Sequence, residues 1–474
     1  MTTPNSGDRR AALDRAARLR QLPLIDQDII RLANEPGFGR WLEQVRAIGG
    51  CAHPVHLSGH TTTYDPATGE ILHSYTTRDE PGERLLVRCR NRRRSVCPSC
   101  SHLHAGDTYH LVRAGLTGGK TVPDTVREHP RLFVTLTAPS FGPVHRTTTD
   151  GTRCHPRRGA DRCEHGRPLG CPAVHSTDDA LVGQPLCPAC YDYTAHILWH
   201  AHAGELWNRF TRNIRRHLAT TAGIPQTHFP RHARLSFTKV AEYQRRAAVH
   251  LHAVIRLDGP TGPGEPPPTW ATPTLLIDAV RAAAHRAAAR TPHSPAISER
   301  TLQWGTQLDA HPIDADGLDD EAVAAYVAKY VTKSATEASA GTDRRIRTRA
   351  EIDCIPTTPH ARALMRTCWQ LGTLPELRHL RLRTWTHTLG YRGHILTKSR
   401  AYSTTYAALR GARAGYRGAA VSSGEERTIR ESRWRYLGAG HSPGSALIAG
   451  TVAHALLLNR AVAQDALRAD GSPG

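Results

Sequence analysis

Polar and apolar residues alternate most cleanly at 248–258, AVHLHAVIRLD. Val249, Leu251, Ala253, Ile255 and Leu257 fall on one side of an extended chain, and His250, His252, Arg256 and Asp258 on the other. This is the pattern of a strand with one apolar face. The segment 234–242 reads as its hairpin partner across the polar turn QRRA, and LFVTLTAPSFG at 132–142 predicts another strand, ended by Pro139 and Gly142. Helical spacing governs most other apolar positions. It predicts amphipathic helix within 1–50 (Leu24, Ile25, Ile29, Ile30, Leu32), helix over 105–116, and a long helix over 194–219 carrying Ile197, Leu198, Trp199, Leu206, Trp207, Phe210 and Ile214. Further helices are expected over 275–290 and 316–335. The last apolar run, Ala446 to Leu458, contains His454 and falls short of the ~18 residues of a membrane span, so it reads as a buried C-terminal helix.

Two regions break these periods. The chain from 51 to 106 is rich in Cys, His and Arg, and 143–190 holds five cysteines with little apolar periodicity, as a metal-stapled loop insertion would. A proline-rich linker follows at 259–274, and 376–418 is basic with interleaved aromatics. A chain of 474 residues exceeds what one core usually serves, about 250–300 residues. The expected class is α+β. The expected organisation is an N-terminal helical segment (1–50), a Cys/His/Arg-rich zinc-binding region (51–120), a core of strands and helices (121–335) with a Cys-rich zinc-binding insertion at about 143–192, and a basic, mainly helical C-terminal region (336–474).

A formal net charge of +20 points to a polyanionic partner, nucleic acid first, because cations that neutralise phosphates release condensed counterions. Nearly all of this charge is arginine. Lysine occurs only at Lys120, Lys239, Lys329, Lys333 and Lys398. The amino terminus is charged throughout and has no apolar signal region, so the expected location is cytoplasmic, with no membrane partner. In that reducing compartment eleven cysteines read as metal ligands rather than disulfides.

His250 and His252 leave the same face of one strand and can ligate one metal together. A hairpin centred on Arg246 sets Glu242 opposite His250, which would add a carboxylate. Such a mixed oxygen and nitrogen site suits Mg²⁺ or Mn²⁺; alternatively Glu242 pairs with Arg245 or Arg246 at the turn. In DDEAVAAYVAKYVTK at 319–333, Tyr326, Lys329, Tyr330 and Lys333 share one arc of the helix, with Val323, Val327 and Val331 forming the neighbouring apolar stripe. Two tyrosines beside ammonium groups and a metal-held phosphate are candidate nucleophiles; the plain reading is an amphipathic helix with half-buried tyrosines.

Cys97-Pro-Ser-Cys100 and Cys187-Pro-Ala-Cys190 are knuckles of the kind that gives zinc two thiolates from one turn. Cys89 with Cys51, or with His102 or His104, would complete the first. Cys163 and Cys171 would complete the second, with Cys154 and His165 in reserve. Four protein ligands make a structural site, here one that fixes the basic loop of Arg92, Arg93 and Arg94 against DNA. Cys354 and Cys368 read as isolated buried thiols. Trp385, Tyr391 and Tyr402 are candidates for stacking on unpaired bases.

In order along the chain, FVTLTAPS (133–140), His250-Leu251-His252 and YVAKYVTK (326–333) resemble the three motifs of the HUH-type rolling-circle replication initiators. The likeness to actinobacterial plasmid initiators extends to CRNRRRSVCPSC and LGYRGHILTKSRAYS. The resemblance implies an HUH endonuclease core, a central antiparallel sheet flanked by helices, with helices on one face and the metal site on the other. It implies a divalent metal on His250 and His252 with Glu242 as third ligand, and Tyr326 or Tyr330 as nucleophile beside Lys329, with Tyr326 favoured. The implied activity is origin-specific single-strand nicking and joining through a 5′-phosphotyrosine, with host helicase and DNA polymerase as partners; Lys333 would contact DNA. A relaxase or transposase of the same superfamily, or a non-catalytic zinc-containing DNA-binding regulator, are the competing readings.

Overall fold

The computed structural model describes residues 14, 17–148, 151–157, 161–314, 318–333, 342, 344–418 and 428–469. The outer ends of the helix expected over 316–335 and the first thirteen residues lie outside them. The chain forms two compact units: 105–413, and a second assembled from 1–104 with 414–474.

The larger unit is organised by the alternation at 248–258. Strands β4 (Arg131–Leu136), β5 (Arg234–Tyr243), β6 (Val249–Asp258), β9 (Leu308–Pro312) and β10 (Leu396–Lys398) form one sheet in the order β10-β5-β6-β4-β9, every neighbouring pair antiparallel. A short separate ladder joins β7 (Ala288–Arg290) to β8 (Thr301–Gln303). The apolar face of the main sheet carries Leu132, Val134, Leu136, Leu251, Ile255 and Leu257. It is covered by a 29-residue helix (Tyr193–Thr221) and by the helix Pro273–Arg286. Asp192 caps the first of these by accepting from the Ala195 N–H, and Thr272 caps the second.

The opposite face is also roofed. Val240 and Val254 pack against Val323, Val327 and Val331 of the helix Asp320–Val331 and against Leu111, Val112 and Leu116 of the helix Pro98–Thr117. Helices therefore lie on both faces, whereas the resemblance implies them on one. The cause is the valine stripe, which needs an apolar bed and finds it on the face that holds the histidines. Roofing also buries Arg256 and Asp258, which alternation alone would leave in water. Burial pushes the Asp258 carboxyl up, but hydrogen bonds from His129 and Arg256 outweigh it and hold the group below its ordinary range. The Arg256 guanidinium also donates to the Gly115 and Tyr402 carbonyls. A buried charge persists only when paired in this way.

In the smaller unit, β1 (Val55–Tyr64) pairs with β2 (Ile71–Thr76), β3 (Leu85–Val87) and β11 (Ile429–Ala439), so the two ends of the sequence share a sheet. At Gly50, φ is +63° and an added Cβ would stand 2.3 Å from the Ala449 carbonyl oxygen, so the C-terminal helix approaches there as only glycine permits.

Several expectations change. The C-terminal helix runs Pro443–Ala469, with Leu447, Leu458 and Val462 exposed rather than buried. Its stretch 443–463 is long and apolar enough, by length and composition, to cross a membrane, because the apolar run continues past Leu458. Tyr391 and Tyr402 are buried, unavailable for base stacking: the Tyr402 hydroxyl donates to the Val112 carbonyl, and Tyr391 packs with the core around His200. Cys354 is exposed, while Cys368 is a buried thiol. The helix expected over 275–290 stops at Arg286, and the chain then enters β7.

Candidate active site and metal clusters

The hairpin register sets Glu242 directly opposite His250 and sets Val240 opposite His252; on the other side of β6, Thr135 of β4 is opposite His252. Three strands therefore deliver polar groups to one patch. The Glu242 carboxylate lies 2.9 Å from His252 Nε2, and Tyr326 Oη lies 3.4 Å from the same nitrogen. On the far side of the ring, Nδ1 is 3.0 Å from the Thr135 hydroxyl. Phe133 stacks parallel to His252 with ring centroids 6.0 Å apart. His252 is thus fixed by both nitrogens and one ring face.

His250 is placed differently. Its ring centroid is 6.1 Å from that of His252, and among the described residues it does not join Glu242 and His252 in a compact ligand cluster. Burial, reinforced by His252 and Arg246, drops its pKa to about 3, so it stays a neutral imidazole. Arg246 does not pair with Glu242. Its guanidinium donates to the Ala138 and Pro139 carbonyls and pins the hairpin turn to the end of β4. Two imidazoles and a carboxylate on one sheet face form a donor set that fits a divalent cation.

Tyr326 and Tyr330 sit one turn apart, with ring centroids separated by 4.6 Å; Tyr330 stacks on His252 at 5.7 Å. Burial raises both phenols, and Tyr330 raises Tyr326 further through a hydrogen bond. Lys333 Nζ lies 4.5 Å from the Tyr330 ring centroid and 3.9 Å from Glu242, and Lys329 Nζ is 5.9 Å from the same ring. Asp320, at the start of this helix, receives a 2.7 Å hydrogen bond from Arg131 of β4. The helix is thereby tied to the strand that orients His252. Thr135 and Phe133 were not singled out in the sequence, although both fall at alternate positions of FVTLT, on the face that looks toward the histidines.

Among the described residues, three compact His/Cys clusters lie elsewhere, each with ligand atoms within 4.8 Å of one another. The first is Cys51, Cys89, Cys97 and Cys100, with the second knuckle cysteine on the first turn of its helix. Backbone N–H groups of Ala52, Cys89 and Asn91 point at its sulfurs. His102 and His104 are not members. Arg92 and Arg93 are partly buried beside it, and Arg94 is exposed. The second is Cys163, His165, Cys187 and Cys190. Cys171, expected there, belongs to a third cluster with His145, Cys154 and His175. The reason is local: 155 and 171 form an antiparallel bridge that holds Cys171 next to Cys154 and away from the knuckle.

The fold and site thus define an α+β protein whose antiparallel sheet presents a histidine and carboxylate patch to a helix bearing paired tyrosines. Residues 37–454 match the family model RepSA, described as replication initiator protein, pSAM2. The chain is also 47% identical over 458 residues to a replication initiator protein of Streptomyces ambofaciens, an alignment covering 93% of this chain and 95% of the relative. The chain belongs to this family of replication initiator proteins. No solved structure matches it.

Proposed function

We propose that this protein starts rolling-circle replication of a plasmid by nicking one strand at the origin, with a tyrosine of the helix Asp320–Val331 as nucleophile. The observation that carries the reading is the shared contact at His252, whose Nε2 meets both the Glu242 carboxylate and the Tyr326 hydroxyl. His250, His252 and Glu242 would hold Mg²⁺ or Mn²⁺. When bound, that ion would polarise the scissile phosphate and offset its developing charge.

The Tyr326 oxygen attacks phosphorus as the phenol proton is released to water. The P–O3′ bond breaks, its electrons remain on the 3′ oxygen, and that oxygen takes a proton to become a primer hydroxyl. The 5′ phosphate stays on tyrosine as an ester, ready for the reverse transfer. Burial keeps both phenols protonated at neutral pH, and Tyr326, whose hydroxyl lies 3.4 Å from His252 Nε2, is placed nearest the ion that His252 would hold; it is the first nucleophile and leaves Tyr330 for a second transfer. Lys329 and Lys333 balance phosphate charge at the same face. The clusters at Cys51/Cys89/Cys97/Cys100 and Cys163/His165/Cys187/Cys190 would hold structural zinc, the first steadying the loop of Arg92, Arg93 and Arg94 against the origin duplex.

The test is labelled single-stranded DNA carrying the cognate origin, incubated with the full chain and Mn²⁺ and run on a denaturing gel. A covalent protein–DNA band that requires metal, His250 and a tyrosine is expected. Tight origin binding without any such band would replace this reading with that of a non-catalytic DNA-binding regulator.

A further inference from the structure

We infer that the insertion carries a further metal centre, a Cys₂His₂ zinc site formed by His145, Cys154, Cys171 and His175, which braces the insertion against the turn of the β5–β6 hairpin. A zinc tetrahedron with Zn–S near ~2.3 Å and Zn–N near ~2.05 Å has ligand-to-ligand edges of roughly 3.3–3.8 Å. The separations here are 3.1 Å between His145 Nδ1 and His175 Nε2, 3.4 Å between His175 Nε2 and Cys171 Sγ, and 3.9 Å between His145 Nδ1 and Cys154 Sγ.

The surroundings select these atoms. His175 uses its other nitrogen, Nδ1, on the Asp179 carboxylate at 2.6 Å, the carboxylate–histidine arrangement that orients a metal-ligating imidazole. The Arg146 N–H points at the Cys154 sulfur. The adjacent His155 lies outside this group of ligand atoms, with its Nε2 on the Val144 carbonyl. Cys154, Cys171 and His175 are all buried, in a stretch whose described residues form no helix or strand between β4 and Tyr193. Burying thiols and imidazoles without an apolar core is what a metal staple explains. Binding releases the two thiol protons, and Zn²⁺ with two thiolates and two neutral imidazoles carries no net charge, so the centre can stay buried without a counter-ion.

The link to the hairpin is direct. His145 accepts from the Gly183 N–H through its carbonyl, and Gly183, at φ +88°, lies so close to Arg245 that an added Cβ would stand 2.3 Å from the Arg245 carbonyl oxygen. The Arg245 guanidinium in turn donates to the carbonyl of Thr177, two residues beyond His175.

The test is zinc per chain by elemental analysis of the purified full-length protein after equilibration with zinc, as a difference, so that it does not depend on what the two knuckle clusters hold. The variant His145→Ala/His175→Ala is expected to carry one zinc fewer than wild type, and a loss from Cys97→Ser or Cys187→Ser should add to it. Trypsin should cut the double variant faster at the exposed Arg153, Arg157 and Arg162. Should the double variant fail to fold, Asp179→Asn leaves all four ligands in place, and it should release one zinc to a chelator at about 10–100-fold lower chelator concentration. An unchanged zinc count in a folded double variant, or release from Asp179→Asn identical to wild type, would overturn the proposal.

Discussion

Thr135 offers the sharpest test of how the site is held. Its hydroxyl can accept from a protonated Nδ1 of His252 or donate to a bare one, so it supports the ring in either tautomer at 3.0 Å. Thr135→Val keeps the shape and removes only this partner. A lost hydrogen bond of this kind costs about 1 kcal/mol, which lowers the melting temperature of a unit of about 300 residues by roughly 1–2 °C. On the proposed function, the larger effect falls on the ion that His252 would hold. Removing the hydrogen-bond partner of a ligating imidazole weakens metal affinity by about 10–100-fold. In origin nicking, the Mn²⁺ concentration for half-maximal rate should therefore rise at least about 10-fold, while the rate at saturating Mn²⁺ returns close to wild type. An unchanged Mn²⁺ midpoint would refute the reasoning, because His252 would then need no support from Thr135.

Tyr326→Phe should abolish the covalent band while Tyr330→Phe retains it; denaturing electrophoresis of the two variants checks this, and the reverse pattern would move the first attack to Tyr330. Asp258→Ala strands the buried Arg256 and should cost about 3–5 kcal/mol, seen as a marked fall in melting temperature by differential scanning fluorimetry. Burial holds both His200 and His360 at about 4, well below an ordinary imidazole. The unfolded chain therefore takes up protons that the folded chain refuses once pH falls below about 6.5. Stability should be full above that value and decline toward pH 4 at about 1.4 kcal/mol per pH unit for each residue. Urea midpoints at pH 7.5, 6 and 5 measure the slope, and His360→Gln should remove its share.

What local sequence could determine was whatever depends on period and spacing. Alternation at 248–258 set which side chains share a face, and the short QRRA turn set the register that pairs Glu242 with His250. The valine and tyrosine stripes of 319–333 likewise follow from 3.6 residues per turn, and the Cys-Pro-x-Cys turns announce themselves. Tertiary structure decided the rest, because it depends on contacts between distant segments. Only the folded chain brings Thr135 across from His252, separated by 117 positions. Only it sends Cys171 to His145 and His175 instead of to the Cys187 knuckle, since ligand grouping follows how loops close rather than how cysteines are spaced. The pairing of β1 with β11, and the roof that buries Arg256 and Asp258, have no local signature either. A strand's pattern records which residues point together, but what covers them is set by the segment that finds that face during folding.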